Sequence, residues 1–435
     1  HTSQYKKAYD EFYQLAYLGN QDAIYNIGVM YLHGQGIAQN VESAYAWFML
    51  AADFGLAESL AAAEIIHQKA EDKQALTRAY EALKTSLNVA KFNQELKPVF
   101  TTEQYQDKTY QPPTRILKID PQYPKEAYEK GIEGWVWLEF DIDEAGAVKD
   151  IEILDAYPDN RFNRVIFNAV SRWKYQPYKV NDEIKPYHNR SLLYHFTTFK
   201  GKRYQASFSR QLKQYQQQIN GLIERAEQGD AIVQYYVSNW LMSDDHNATK
   251  LLKSHWRQEN AGSDLLLQSA INNYPKSQYR LGANLLRGEF TETDRKKGLN
   301  WLLHAAQNGY APAQYRLAQE FLDQNYVQFD KRKAVLWLEA AAKQNNVKAI
   351  KRLVELALTN NDMAKDVSGY LDKGLTLDEN SSDLWFLKAK WALKQGGKSD
   401  AIKHARKALS LANKQESYSA DIVKFIEQTP VLPES

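Results

Sequence analysis

Asp141, Asp143, Gly146 and Glu152 stand at positions 1, 3, 6 and 12 of a calcium-loop spacing. That loop wraps oxygens round a hard cation and needs glycine at its sharp bend. Positions 5 and 9 are Ala145 and Lys149, where oxygen ligands are wanted, and the flanks read as strands rather than helices. The stretch therefore reads as a plain hairpin, and no metal site is expected. The nine histidines show no metal-ligand spacing; His33 lies in the loop "HGQG", and His195 is expected to face solvent from a strand. There is no G-x-S-x-G, P-loop, H-E-x-x-H or Rossmann glycine pattern. Of the 53 acids none is singled out as a catalytic pair. No catalytic residue and no cofactor is expected.

Trp135 and Trp137 are the other residues that stand out. They alternate with Val136, Leu138, Phe140 and Ile142, so period two puts the indoles on the face opposite the apolar set. Two readings stay open. Either a helical segment of this chain packs over them, or they form a patch for a partner.

Composition narrows the classes. The 435 residues suffice for two to four domains. The 55 basic and 53 acidic residues leave a net charge of +2, which argues against nucleic acid or an anionic membrane as the main partner. Cysteine is absent, which removes disulfides, thiol catalysis and thiolate metal sites and is compatible with an oxidising compartment. The longest apolar run, "AYAWFMLAA", is too short to span a bilayer. The start at His1 is compatible with a removed signal peptide or an anchor further upstream.

The elements that position these residues can be read from pattern. "GWVWLEFDI", the turn "DEAG" and "AVKDIEIL" form a hairpin, with Gly146 where positive φ is needed. "YPKEAYEKG" before it is a short helix with Pro124 at its start and Gly131 past its end. After it, Phe162, Val165, Ile166, Ala169, Val170 and Trp173 form one helical stripe, ended by Pro177. "SLLYHFTTF", Ser191 to Phe199, is the third strand, giving the order α-β-β-α-β.

Both flanks are helical and repeat. Gly19, Gly229 and Gly309 each precede a tyrosine by six positions, and Tyr25–Trp47, Tyr279–Trp301 and Tyr315–Trp337 are all 22 residues apart. Tyr279–Tyr315 and Trp301–Trp337 are both 36 apart, the length of a helix–turn–helix unit. Small residues behind each tryptophan let paired helices approach closely. These segments resemble Sel1-like repeats, most specifically in 20–60 and 277–345, less so in 205–275, where an insertion near Ser243 to Gly262 breaks the spacing. "SSDLWFLKAKWALKQGGKSDAIKHARKALSLANK" resembles a tetratricopeptide repeat, with Ala389, Ala401 and Ala408 at its small positions.

Residues 113–200 resemble the C-terminal domain of TonB. The Tyr-Pro, the Gly-x-x-Gly before the strand, the "F-x-I-D-x-x-G-x-V" hairpin, the phenylalanine opening the second helix and the "R-W-x-Y-x-P" exit are all present. The resemblance implies a periplasmic domain that binds a short segment of an outer-membrane transporter as an added strand. Ser191, Leu192, Leu193, Tyr194, His195, Phe196 and Thr197 would be the binding edge. TonB itself carries a membrane helix and a Pro-rich spacer; here repeat helices stand instead.

The expected fold is multidomain: all-α Sel1-like and tetratricopeptide solenoid arms flanking an α+β module with a three-stranded antiparallel sheet. The expected boundaries are 1–97 for the first arm, 98–112 for a linker, 113–200 for the module, 205–380 for the second arm, and 381–415 for the tetratricopeptide-like pair, with a last helix to about 428. The expected function is a non-enzymatic adaptor in the periplasm of a Gram-negative bacterium, with protein partners and no nucleic acid. One alternative is a scaffold in which the module merely bridges the arms. The other is an enzyme with a site between arm and module.

Overall fold

The computed structural model describes residues 2–99, 113–180, 183–197, 208–242, 247–288, 291–323, 327–359 and 366–429. Six helices come first: α1 Thr2–Tyr17, α2 Gln21–His33, α3 Val41–Asp53, α4 Ser59–Lys69, α5 Lys73–Ser86 and α6 Val89–Glu95. The mixed segment follows, with β1 Arg115–Leu117, α7 Lys125–Glu129, β2 Gly134–Ile142, β3 Val148–Tyr157, α8 Asn163–Val170, β4 Lys174–Tyr175, β5 Lys179–Val180, β6 Glu183–Ile184 and β7 Tyr187–Phe196. The rest is helical: α9 Phe208–Glu227, α10 Ala231–Leu241, α11 Asn247–His255, α12 Ala261–Ile271, α13 Pro275–Arg287, α14 Arg295–Gln307 and α15 Ala311–Asp323. It continues with α16 Lys331–Lys343, α17 Val347–Thr359, α18 Val367–Leu377, α19 Ser382–Lys394, α20 Lys398–Gln415 and α21 Ala420–Gln428.

The chain forms two compact units, and these do not follow the sequence segments one by one. The first gathers 1–105, 282–286 and 293–344; the second gathers 106–281, 287–292 and 345–435.

In the first unit, helix starts are set by side-chain caps. Asn20, Asn40, Asp72 and Asn88 each accept an N–H from the first turn of the helix that follows. The repeat glycines Gly19 and Gly309 have φ of +81° and +77°, the left-handed turn that ends one helix and launches the next. In α2, Gly28 brings the backbone so close to α3 that an added Cβ would lie 2.8 Å from the Phe48 ring. Trp47, Leu50 and Ala51 of α3 pack on Ile24 and Ile27 of α2. The early and late segments of this unit are joined by buried and half-buried polar contacts. Asn20 Nδ2 donates to Asn308 Oδ1 at 2.6 Å, Trp337 Nε1 to the Leu96 carbonyl at 3.0 Å and Lys333 Nζ to the Lys97 carbonyl at 2.7 Å.

The second unit contains the sheet, in the antiparallel order β3-β2-β7. Its first face packs Val136, Leu138, Phe140 and Ile142 against Ala127 of α7, Ile166 and Val170 of α8, and Phe162 and Trp173. Trp173 Nε1 donates to the Ile119 carbonyl at 2.8 Å, and Arg115 lies over its ring at 4.3 Å. Gly146 turns the hairpin at φ +80°, while Asp143 Oδ1 accepts the Ala145 and Ala147 N–H groups. The third strand starts earlier than its pattern suggests, at Tyr187, because Tyr187, Asn189 and Arg190 already pair with or lean on β2. It ends at Phe196; Thr197 follows it, and residues 198 and 199 lie outside the described residues. Two small ladders, β1–β4 and β5–β6, carry too few residues to show a sequence period. Among the helices, α10 packs on α12 and α19 on α20, with Ala389, Ala401 and Ala408 fully buried.

The 22-residue spacing predicts two core tryptophans in the later repeats, and the structure separates them. Trp337 is fully buried, whereas Trp301 is only partly covered. Trp337→Ala should cost about 3–5 kcal/mol and Trp301→Ala about 1–2 kcal/mol. Denaturant unfolding of the two variants checks this; equal losses would refute the assignment.

Candidate functional site

The second face of the sheet carries Trp135, Trp137, Glu139 and Asp141 from β2. Opposite partners in an antiparallel ladder share a face, so His195, Leu193 and Ser191 of β7 join them across Trp135, Trp137 and Glu139. A face of two indoles and two carboxylates is costly to bury unless every group finds a partner. In this unit it is covered by the chain's own helices.

Trp135 and Trp137 are 0% and 1% exposed, which favours the first of their two readings, cover by a helical segment, over an open partner patch. Trp135 meets Tyr235 and Tyr236 of α10 at 5.9 and 5.7 Å between ring centroids. Trp137 lies 5.8 Å from the Tyr279 ring of α13, has the Arg280 guanidinium over it at 5.4 Å, and donates Nε1–H to Ser191 Oγ at 2.9 Å. The physical reason is the repeat tyrosine itself. Tyr235 and Tyr279 fill the space above the indoles instead of water.

The carboxylates are paired one by one. Glu139 accepts the Tyr279 hydroxyl and, at 3.3 Å, Arg287 Nη2, which also donates to the Asn189 carbonyl at 2.7 Å. Asp141 meets Lys348 Nζ of α17 at 2.7 Å, His188 Nδ1 at 2.8 Å and the Asn189 N–H at 2.9 Å. Burial alone would raise the Asp141 pKa, but Lys348 and His188 outweigh it and hold the carboxyl well below the usual range. Burial lowers His188, yet Asp141 raises it more.

Along β3 the same pattern continues. Asp150 pairs with Lys351, which also holds Asp383 at 2.9 Å. Lys149 reaches Asp383 at 3.3 Å, and Asp155 meets Lys276 at 2.7 Å. Lys351 in turn holds the Asp383 carboxyl well below the usual range, against the pull of burial. Glu152 is the exception. Its contact is Asn346 Nδ2 at 3.1 Å, and burial pushes its pKa up to about 7, helped by Glu139, Asp141 and Asp150 and opposed by Lys348. Asp141, Asp143 and Glu152 therefore serve three different contacts, with Asp143 Oδ2 accepting the Tyr418 N–H at 2.7 Å. They do not converge as a cation loop would require.

What this arrangement leaves is the β7 edge. Among the described residues β7 pairs with β2 alone. Ser191, Leu192, Leu193, Tyr194 and His195 are partly exposed and Phe196 is buried. Leu192 and Tyr194 lean on the apolar core. His195 does not face open solvent as its position in the strand suggested. Its Nε2 lies 3.2 Å from the Asn239 carbonyl and its ring 5.7 Å from Trp240, because the end of α10 reaches the same face of the sheet.

The covering cations Arg287, Lys348 and Lys351 were not read from sequence. A signal existed: Lys348 and Lys351 are three apart in α17 and stand among apolar residues at helical spacing.

Comparison with known proteins finds two kinds of segment in the chain. Residues 119–194 match the family model described as Gram-negative bacterial TonB protein C-terminal. The Sel1 repeat model matches 21–55, 275–310 and 311–346. Protein TonB of Escherichia coli strain K12 is 42% identical over 72 residues, covering 17% of this chain and 30% of that protein. Protein TonB of Pseudomonas aeruginosa is 37% identical over 62 residues, covering 14% and 18%. The chain thus spans less than a third of each of these two relatives. Among solved structures, a Sel1 repeat protein from Oxalobacter formigenes is 27% identical with a TM-score of 0.28, covering 32% of this chain and 98% of that one. A protective antigen present in uropathogenic Escherichia coli strains, displaying an SLR fold, is 16% identical with a TM-score of 0.35, covering 92% and 71%.

The partly buried carboxyl of Glu152 has a pH signature. Its folded pKa of about 7 exceeds the ordinary 4.5, so the folded state holds the extra proton and stability falls as pH rises between those values. His188, also raised, loses its contribution in the same direction as pH rises. The difference between variant and wild type isolates Glu152. Glu152→Gln should match wild type near pH 5 and be more stable by roughly 1–3 kcal/mol near pH 8. Denaturant midpoints at the two pH values check it, and a pH-independent difference would contradict the assignment.

Proposed function

We propose that this chain is a non-enzymatic interaction adaptor of a TonB-related system in the periplasm of a Gram-negative bacterium. In this reading the TonB-like module takes an extended segment of an outer-membrane transporter or another envelope protein along β7. The Sel1-like helices hold the module and add protein contacts of their own. The observation that carries the reading is the strand order β3-β2-β7, with β7 paired on one side only among the described residues. An edge of that kind is a template for strand addition. The sheet has a second edge, β3, and it is the resemblance to the TonB module that directs the reading to β7.

Energetics limit what the edge does alone. Four or five ladder hydrogen bonds at about 0.5–1.5 kcal/mol net each give a few kcal/mol, and association entropy removes much of that. Binding by backbone pairing should be about micromolar to millimolar. Tighter binding requires a second contact that raises effective concentration. A second reading is a scaffold in which the module only bridges helices. The burial of Trp135 and Trp137 under α10 and α13 favours it.

Neighbouring residues in a strand point their N–H groups to opposite sides, so proline at adjacent positions separates the readings. Leu193→Pro and Tyr194→Pro are compared in the full chain, with fluorescently labelled transporter-derived peptides titrated by anisotropy. Strand addition predicts that one variant melts early, having lost a bond to β2, while the other keeps its melting point and loses peptide binding. No peptide binding by the wild-type chain, or unchanged binding in the stably folded variant, would favour the scaffold.

A further inference from the structure

The first unit holds a cleft of about 720 Å³ formed by α1, α15 and α16 with the residues around Gly309. It lies outside the sheet module. Its floor is apolar, with Leu18 and Leu96 buried. Tyr13 and Tyr17 stand in its wall 48% and 38% exposed. Tyr13 is held in place rather than loose, its ring edge-on to Trp47 at 6.1 Å. The carboxylates lining the cleft are Glu11 and Glu339, and a third, Glu95, accepts the Tyr17 hydroxyl at 3.1 Å. Burial raises the Tyr17 pKa, and Glu95 and Glu339 raise it further, which marks the negative potential at this wall.

Lys343 also lines the cleft and reaches Gln14 Oε1 at 3.3 Å, on the rim. Lys7 approaches Glu11 at 3.7 Å, but both side chains are more than half exposed, so that pair is weak and exchangeable. Carboxylates beside exposed aromatic faces fit a guanidinium or ammonium, which gains a charge-assisted hydrogen bond and a cation–π contact together. The volume falls within the range of about 300–1,000 Å³ that takes a ligand of many atoms, more than one side chain needs. The leucine floor calls for apolar groups beside the cation.

We propose that this cleft docks an extended segment of a partner protein that presents arginine or lysine between apolar residues. Such a site would supply the chain with a protein contact separate from β7.

The test uses the full chain and a fluorescein-labelled hexapeptide of alternating leucine and arginine, with the leucine–glutamate hexapeptide as its counterpart. The arginine peptide should bind, weaken as salt rises, and lose roughly tenfold or more in affinity in the E11Q/E339Q variant. Tyr13→Ala should also weaken it. The charge-reversed E11R/E339R variant should prefer the glutamate peptide, a gain that misfolding does not produce. The proposal is overturned if the wild-type chain fails to bind the arginine peptide or binds both peptides alike. It is equally overturned if E11Q/E339Q binds as wild type does, or if spermine displaces the peptide at equal concentration, which would make the site one for free polyamines.

Discussion

Charge taken out of water must be met by charge or by hydrogen bonds, and on the second face of this sheet that requirement governs everything packed against it. Glu139 and Asp141 lie 3% exposed in the middle of β2. Left alone, either would cost several kcal/mol. Arg287, Tyr279, Lys348 and His188 meet them, and each comes from a fixed place on a helix or a strand. Helices α13 and α17 are thereby tied to particular residues of β2. Aromatic stacking over Trp135 and Trp137 adds area, but rings tolerate sliding in a way that an ion pair of 2.7 Å does not.

Ion pairs of this kind contribute position more than stability, since desolvation consumes most of their Coulomb energy. A sheet set on helices by such contacts behaves as a fixed part of its unit. Its function must then be carried out at edges and outer surfaces. That is why β7 and the strand order carry the functional reading, and why the indoles, the most conspicuous residues of the sequence, do not.

Much of this was legible in the chain. Period two across Val136 to Ile142 placed the core face, and the hairpin, both short helices and the last strand stand in the order read, while the short strands β1, β4, β5 and β6 were missed. The glycine–tyrosine–tryptophan spacing marked the repeats where the Sel1 model matches. The site was harder. Trp135 and Trp137 were left between two readings because alternation tells which face a residue takes but not what lies over that face. Their covers, Tyr235 and Tyr279, are about 100 and 140 residues away, although Tyr235 and Tyr279 were already visible as repeat positions. Asp141 was read within its own hairpin, while its partner Lys348 is 207 residues away. Local pattern reports local partners, and an ion pair across a domain has no period to betray it. His195 was misplaced for the same reason, since the end of α10 supplies its acceptor.

The assembly of the first unit from distant stretches bears on how the chain must fold. Asn20 and Asn308 are 288 positions apart, and the second unit's sheet lies between them in sequence. Closing a loop of that length costs roughly 5 kcal/mol of chain entropy before any contact rewards it. The opening helices therefore cannot complete their unit when they are made; α1 to α6 must wait for residues 293–344 with part of their packing surface uncovered. Folding of this chain is consequently of high contact order despite its helical content, slower than its secondary structure alone would suggest. During that interval the exposed apolar helix faces are open to aggregation, and a holding chaperone would find its substrate there.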